Sequence, residues 1–240
     1  MKIFDIDSRF MRFMAKVADV LILNFIVLVC SIPVITIGPS LVALYYVMLK
    51  EVRDEEGNIV KSFFKSFKQN FVQGVIMEII IVALVLFFAY DIYLMYHWMK
   101  VENTAMSRIV LGALCGIAAV GAMAILYIFP MIAKFYNSTF KIIKNSIAMS
   151  ISNLPYSLLM VLITAAIVFL LYINPYFIIF AVGAWAFFTS MCLVRVFDKY
   201  IPKKDEEELP EILTDTVSEE NADKEEVQKE ADENAQKEHQ

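Results

Sequence analysis

Glu78 is the residue on which a chemical role is easiest to build, because it stands about five residues inside the apolar run Gly74 to Tyr96. An ionised carboxylate at the centre of a bilayer costs on the order of 2 to 3 kcal/mol or more, so such a group needs water, a cation or hydrogen-bond donors. Its depth at helical rise is only ~6 Å, which leaves two readings: part of a polar pathway, or a carboxylate near the inner headgroups beside Lys134 or Lys144. Asp91 follows thirteen residues later among Tyr90, Tyr93, Tyr96, His97 and Trp98, the composition of an aromatic belt at a membrane surface. His97 is one of only two histidines, too few to assemble a metal site with partners. Cys30, Cys115 and Cys192 lie far apart in apolar runs without a CxxC pair and read as buried small hydrophobes in a lipid phase. No HExxH, GxSxG, GxxxxGKS or paired-carboxylate constellation occurs, so the expectation is a protein without catalytic residues, metal or cofactor.

Two further groups of polar residues stand out. The stretch SIPVITIGPS, with Pro33, Gly38 and Pro39, interrupts an otherwise apolar run. Proline removes a donor and clashes with the preceding turn, and non-helical backbone at membrane depth is tolerated only where it is buried in protein or lines a wet cavity. The break therefore reads as a packed turn at the outer surface or as a groove for a substrate or partner, and Asn24 is placed to hydrogen-bond backbone groups freed around Pro33. The second group is Lys134, Asn137, Lys144 and Asn145, a polar, basic surface suited to lipid headgroups or a cytoplasmic partner. Asn137-Ser138-Thr139 matches a glycosylation sequon but falls on the side assigned to the cytoplasm.

The solvent that would hold these residues is set by composition. Of 240 residues, 59% are hydrophobic and the mean hydropathy is +0.62, well above a soluble domain at about 45 to 50% apolar. The net charge of −5 conceals an uneven division: residues 203–240 hold 15 acids and 5 bases, leaving 16 bases and 11 acids before them. A hydrophobic, mildly basic body fits a membrane protein whose short inner loops collect Lys and Arg, and fits nucleic-acid binding less well. After Pro202 the apolar residues are too few to offset the entropy of ordering the chain. The domain reading is a transmembrane helical domain, 1–202, and a disordered acidic cytoplasmic tail, 203–240.

About 20 apolar residues span a hydrocarbon core of ~30 Å. Gly74 to Tyr96, Ile109 to Ala133, Leu154 to Ile173 and Pro175 to Phe197 qualify outright. The break leaves two shortened helices before them, roughly Phe10 to Ser31 and Ser40 to Asp54, read as an uncleaved beginning of the bundle rather than a signal peptide. Basic residues flank both sides of this region: Lys2, Arg9, Arg12 and Lys16 before it, Lys50, Arg53, Lys61, Lys65 and Lys68 after it. Both flanks therefore belong on one side, and either two short crossings or a re-entrant hairpin lies between them. The favoured arrangement is an all-α polytopic bundle of about six crossings, the first two short and broken at Pro33 to Pro39, with both termini cytoplasmic. VKSFFKSFKQNF repeats Val60, Phe63, Phe64, Phe67 and Phe71 against Lys61, Lys65 and Lys68, and KFYNSTFKIIKNSIAMS repeats Phe140, Ile143 and Ile147 against Lys141, Lys144 and Asn145. Both read as inner amphipathic helices in the headgroup plane. Each precedes an outward and a returning span, a weak tandem repeat of about 76 residues.

The break PVITIGPSLVALYYVML, the helix FFKSFKQNF and above all YIFPMIAKFYNSTFKIIKNSIAMSISNLP resemble the YesL-like bacterial membrane proteins grouped as a domain of unknown function, number 624. The resemblance runs over roughly Phe10 to Tyr200 and excludes the tail. It implies a multi-pass cell-membrane protein of mainly Gram-positive bacteria, often encoded beside carbohydrate uptake and degradation genes, and it brings no catalytic residues. The partners it points to are the lipid bilayer and a membrane transporter or sensor. A small transporter or channel using Glu78 and the Pro/Gly break is the alternative.

Overall fold

The computed structural model describes residues 9–55, 57–102, 104–135 and 137–200; the expectations for the acidic tail and for Lys2 lie outside them. The described residues contain helices and no strands. In chain order the α-helices are α1 (Arg9–Cys30), α2 (Ile37–Val52), α3 (Ile59–Gln69), α4 (Phe71–Val101), α5 (Ala105–Lys134), α6 (Thr139–Ser152), α7 (Leu154–Ile173) and α8 (Ile178–Phe197), with single 3-10 turns at Val34–Thr36 and Pro175–Phe177. The described residues through Val196 form one compact unit. A second unit begins at Phe197 and is described only through Tyr200, as the last residue of α8 and a turn.

Among the described residues five segments are long and apolar enough to cross a membrane: Val34–Val52, α4, α5, α7 and Pro175–Phe197. Most of their apolar surface is unburied. The buried residues of α4 are Gly74 and Met77, at its start, and those of α7 are Ser157 and Met160, also at its start. Apart from Ser107, the buried part of α5 is its end, Ala124 and Tyr127 to Ile132. Beyond these regions Val82, Leu84 to Phe87, Leu162, Val168 and Phe169 lie exposed, apolar surface on two helices that lipid covers at no cost. The chain is a helical membrane protein.

The packed core sits at one end of the bundle, around α2. Nearly every residue from Gly38 to Leu49 is buried, because α1, α3, α4 and α5 all pack against this helix. Proline in its first turn is compatible with a helix, since the N–H it lacks would have no intrahelical partner there. The interruption is accordingly shorter than Ser31 to Pro39: it is a turn at Ser31–Pro33 followed by the 3-10 turn, and Gly38 and Pro39 already belong to α2.

Both segments read as amphipathic form helices, with two differences: α6 buries Ile142, Ser146, Met149 and Ser150 while Phe140 and Ile147 of the expected apolar face stay exposed, and α3 ends earlier than expected. Asn70 ends α3 and begins α4, so Phe71 belongs to the span and not to the amphipathic helix. Docking of α3 on α2 buries Phe63 and Ser66, while Val60 and Phe64 stay exposed on its flank. Lys61 and Lys68 remain exposed. The order amphipathic helix, span, span occurs twice, as α3-α4-α5 and α6-α7-α8, although the first pair of spans has 31 and 30 residues and the second 20 and 20.

Candidate functional site

Two glycines bring the Pro/Gly break and Glu78 together. A Cβ at Gly38 would collide with the Gly74 carbonyl oxygen and lie 2.9 Å from the Glu78 Cβ, and one at Gly74 would lie 2.8 Å from Pro39 Cα and N. Only hydrogen side chains at this crossing let the backbones of α2 and α4 touch, the device that small residues provide between membrane helices. The close approach places Glu78 Oε2 2.9 Å from the Gly38 N–H, which donates to it. A carboxylate there satisfies an orphan donor in the first turn of α2 and meets the positive end of the helix dipole. One of the two Glu78 carboxylate oxygens is thus bonded to backbone.

The turn before α2 is closed in the same way. Thr36 Oγ1 donates to the carbonyls of Cys30 (2.5 Å) and Pro33 (2.6 Å), Thr36 N–H donates to Pro33 O at 2.9 Å, and Ser31 N–H donates to Val27 O at 2.8 Å. Ser40 Oγ donates to Thr36 O at 2.6 Å. Asn24 takes no part in this turn, contrary to the expectation from its position. It is buried against α8, where Nδ2 donates to Ile179 O and Oδ1 accepts from the Gly183 N–H at 2.8 Å. Those are the carbonyl and amide that an α-helix would join to each other, so the carboxamide inserts its own dipole into the α8 ladder. Gly183 permits this, as a Cβ there would lie 2.8 Å from Val20 O.

A sequence model of the family described as a protein of unknown function, DUF624, matches residues 20–92. Over that segment the chain is DUF624-like. The DUF624 match contains Asn24, Pro33, Gly38, Pro39, Gly74 and Glu78, the whole of the α2–α4 crossing, and ends before α5. It is shorter than the resemblance drawn over residues 10–200, and the stretch through Asn137 and Asn145 lies outside it. No curated protein and no solved structure matches the chain.

The remaining candidates separate into two places. Gln73 Nε2 donates to the Asn137 carbonyl at 2.8 Å, so the loop between α5 and α6 is tied to the first turn of α4, beside the Gly38–Gly74 crossing. Lys134, Lys144 and Asn145 are exposed and none of their side chains reaches Glu78, whose partner is backbone. Lys144, Asn145 and Lys141 line the outer face of α6, while Ile142, Ser146 and Met149 are buried. Of the cysteines Cys192 is buried in the protein, Cys30 is half-buried and Cys115 is exposed on the surface of α5, where Gly112 and Gly116 have nothing within 4 Å of a Cβ position. Among the described residues no three His, Cys, Asp or Glu side chains converge as metal ligands would.

Sequence reasoning missed a polar seam at the centre of the bundle. Buried Tyr45 on α2 lies edge-on to Trp185 on α8, ring centroids 5.6 Å apart, with its hydroxyl 3.1 Å from Thr189 Oγ1. Trp185 Nε1 donates to Thr164 Oγ1 on α7 at 2.9 Å. A second link joins Tyr127 of α5 to Ser157 of α7 at 2.8 Å. Tyr45 and Trp185 are aromatic residues inside apolar runs; their hydrophobicity masked them, and a polar atom on a ring that must be buried was the available signal. On α4, exposed Tyr93 and Tyr96 flank His97, and Lys100 Nζ sits 4.7 Å above the Tyr96 ring. These rings are exposed together near the end of α4, as an aromatic belt at a membrane surface requires.

Proposed function

We propose that this is a non-enzymatic multi-pass cell-membrane protein that acts by binding another membrane component, an accessory or regulatory partner of carbohydrate uptake. The observation that carries it is that the larger polar side chains inside the bundle bond to other helices, although among the described residues the buried Ser190 Oγ has no partner. Glu78 is bonded to Gly38, Asn24 to α8, and Tyr45 and Trp185 to threonines, so these side chains hold helices together. What is left for recognition lies on the surface: the exposed apolar spans and the lysines of α3 and α6. Both termini and those lysines are assigned to the cytoplasm by the distribution of basic residues. The link to carbohydrate uptake rests on the YesL-like resemblance. Affinity purification at native expression in mild detergent, read by mass spectrometry, returns subunits of a transporter or sensor in this account; recovery of the chain alone contradicts it.

A transporter or channel is the second reading, favoured by the presence of a carboxylate and a Pro/Gly break at one crossing. It requires flux of a sugar or ion in liposomes that disappears in Glu78→Gln.

A further inference from the structure

We infer that α1 and α2 form a re-entrant hairpin, entering and leaving the membrane on the side of the α3 lysines, with the tip Ile32–Ile35 in contact with lipid acyl chains. The sequence leaves open whether this region crosses twice or dips and returns, and the helix crossing discriminates. Gly38, two residues from the 3-10 turn, touches Gly74 and Glu78, which are three and seven residues from the start of α4. The 3-10 turn itself lies against α4. Lys68, exposed at the end of α3, is only six residues before Gly74, and α4 begins three residues before Gly74, about 4.5 Å at helical rise. From Glu78, α4 runs on for 23 residues to Val101, about 35 Å. A hairpin crossing the bilayer in full would bring its tip beside that far end, at the girdle of Tyr93 and Tyr96; this one stops some 15 residues short of it, ~22 Å.

The chemistry of the tip identifies its surroundings. Ile32, Val34 and Ile35 are 77%, 73% and 56% exposed, and no charged residue occurs between Asp19 and Lys50. A turn facing water can leave backbone groups to solvent, whereas one facing hydrocarbon must satisfy them within the protein. Here Ser31, Ile32, Thr36, Ile37 and Gly38 N–H have acceptors inside the protein, Pro33 and Pro39 have no N–H to satisfy, Thr36 and Ser40 direct their hydroxyls onto carbonyls, and the Val34 and Ile35 N–H at the start of the 3-10 turn are the two with no acceptor among the described residues. The apolar side chains alone point outward.

The test is sided cysteine labelling of the full chain in membranes, with Cys30, Cys115 and Cys192 replaced and one cysteine introduced at a time. Glu102→Cys at the far end of α4 and Ser138→Cys between α5 and α6 define the two faces for a membrane-impermeant maleimide. Val34→Cys should be labelled from neither face and become reactive only after denaturation in detergent. Ile35→Cys carrying a nitroxide gives an independent readout, with collisions with oxygen exceeding those with a water-soluble nickel complex. Labelling of Val34→Cys from the Glu102 face would establish two crossings and overturn the inference, as would labelling from the Ser138 face, which would put the tip in water. Glu102→Cys and Ser138→Cys reacting from the same face would remove its frame of reference and overturn it equally.

Discussion

At the scale of single residues, Glu78 and Asn24 are matched to backbone groups of neighbouring helices, while Tyr45, Tyr127 and Trp185 pair with side-chain hydroxyls. Glu78 illustrates the consequence. Its role is to accept one hydrogen bond from Gly38 at 2.9 Å, and a neutral amide oxygen accepts that bond as well. Glu78→Gln should therefore express and unfold like the parent chain, whereas Glu78→Ala, which leaves the Gly38 N–H without an acceptor, should lose about 1 to 3 kcal/mol. Denaturation of the purified variants in detergent checks both. A reversed order, with Gln as damaging as Ala, would mean that the charge itself matters and would favour a polar pathway. The carboxylate was legible in the sequence as a group needing a donor; its partner was not, because Gly38 is forty positions away and offers no side chain to read.

Among the elements, the spans were legible and their mutual arrangement was not. Leu154–Ile173 is the same helix in sequence and structure, because Pro155 and Asn174 bound a run of uninterrupted apolar residues. The ends of α4 and α5 extend beyond the apolar runs by several residues, since interfacial Tyr, Trp and Lys continue a helix that hydropathy alone would stop. The crossing of α2 with α4 was hidden for a physical reason: it is built from two glycines, and close backbone approach leaves no periodic pattern. Asn24 was read toward its neighbours in sequence although its partners lie 155 and 159 positions away. A substitution separates crossing glycines from incidental ones. Gly74→Ala places a methyl group 2.8 Å from Pro39 backbone atoms and should destabilise by about 1 to 3 kcal/mol. Gly116→Ala on α5, with nothing within 4 Å of the new Cβ, should leave stability unchanged or raise it.

For the molecule as a whole, the exposed surface is the decisive fact. Packing is concentrated at the end where α2 sits, while α4, α5 and α7 carry exposed Val, Leu, Ile and Phe away from it. At roughly 25 cal/mol per Å² of apolar surface, each such side chain left in water forgoes the stabilisation that burial gives. Lipid must therefore be the solvent of these helices, and the polar seams through Tyr45, Trp185 and Tyr127 are the contacts that hold them together in it. Alkaline carbonate extraction of membranes containing the full chain tests this most directly. The protein should stay in the membrane pellet and be released only by detergent; its appearance in the carbonate supernatant would contradict a lipid-embedded bundle.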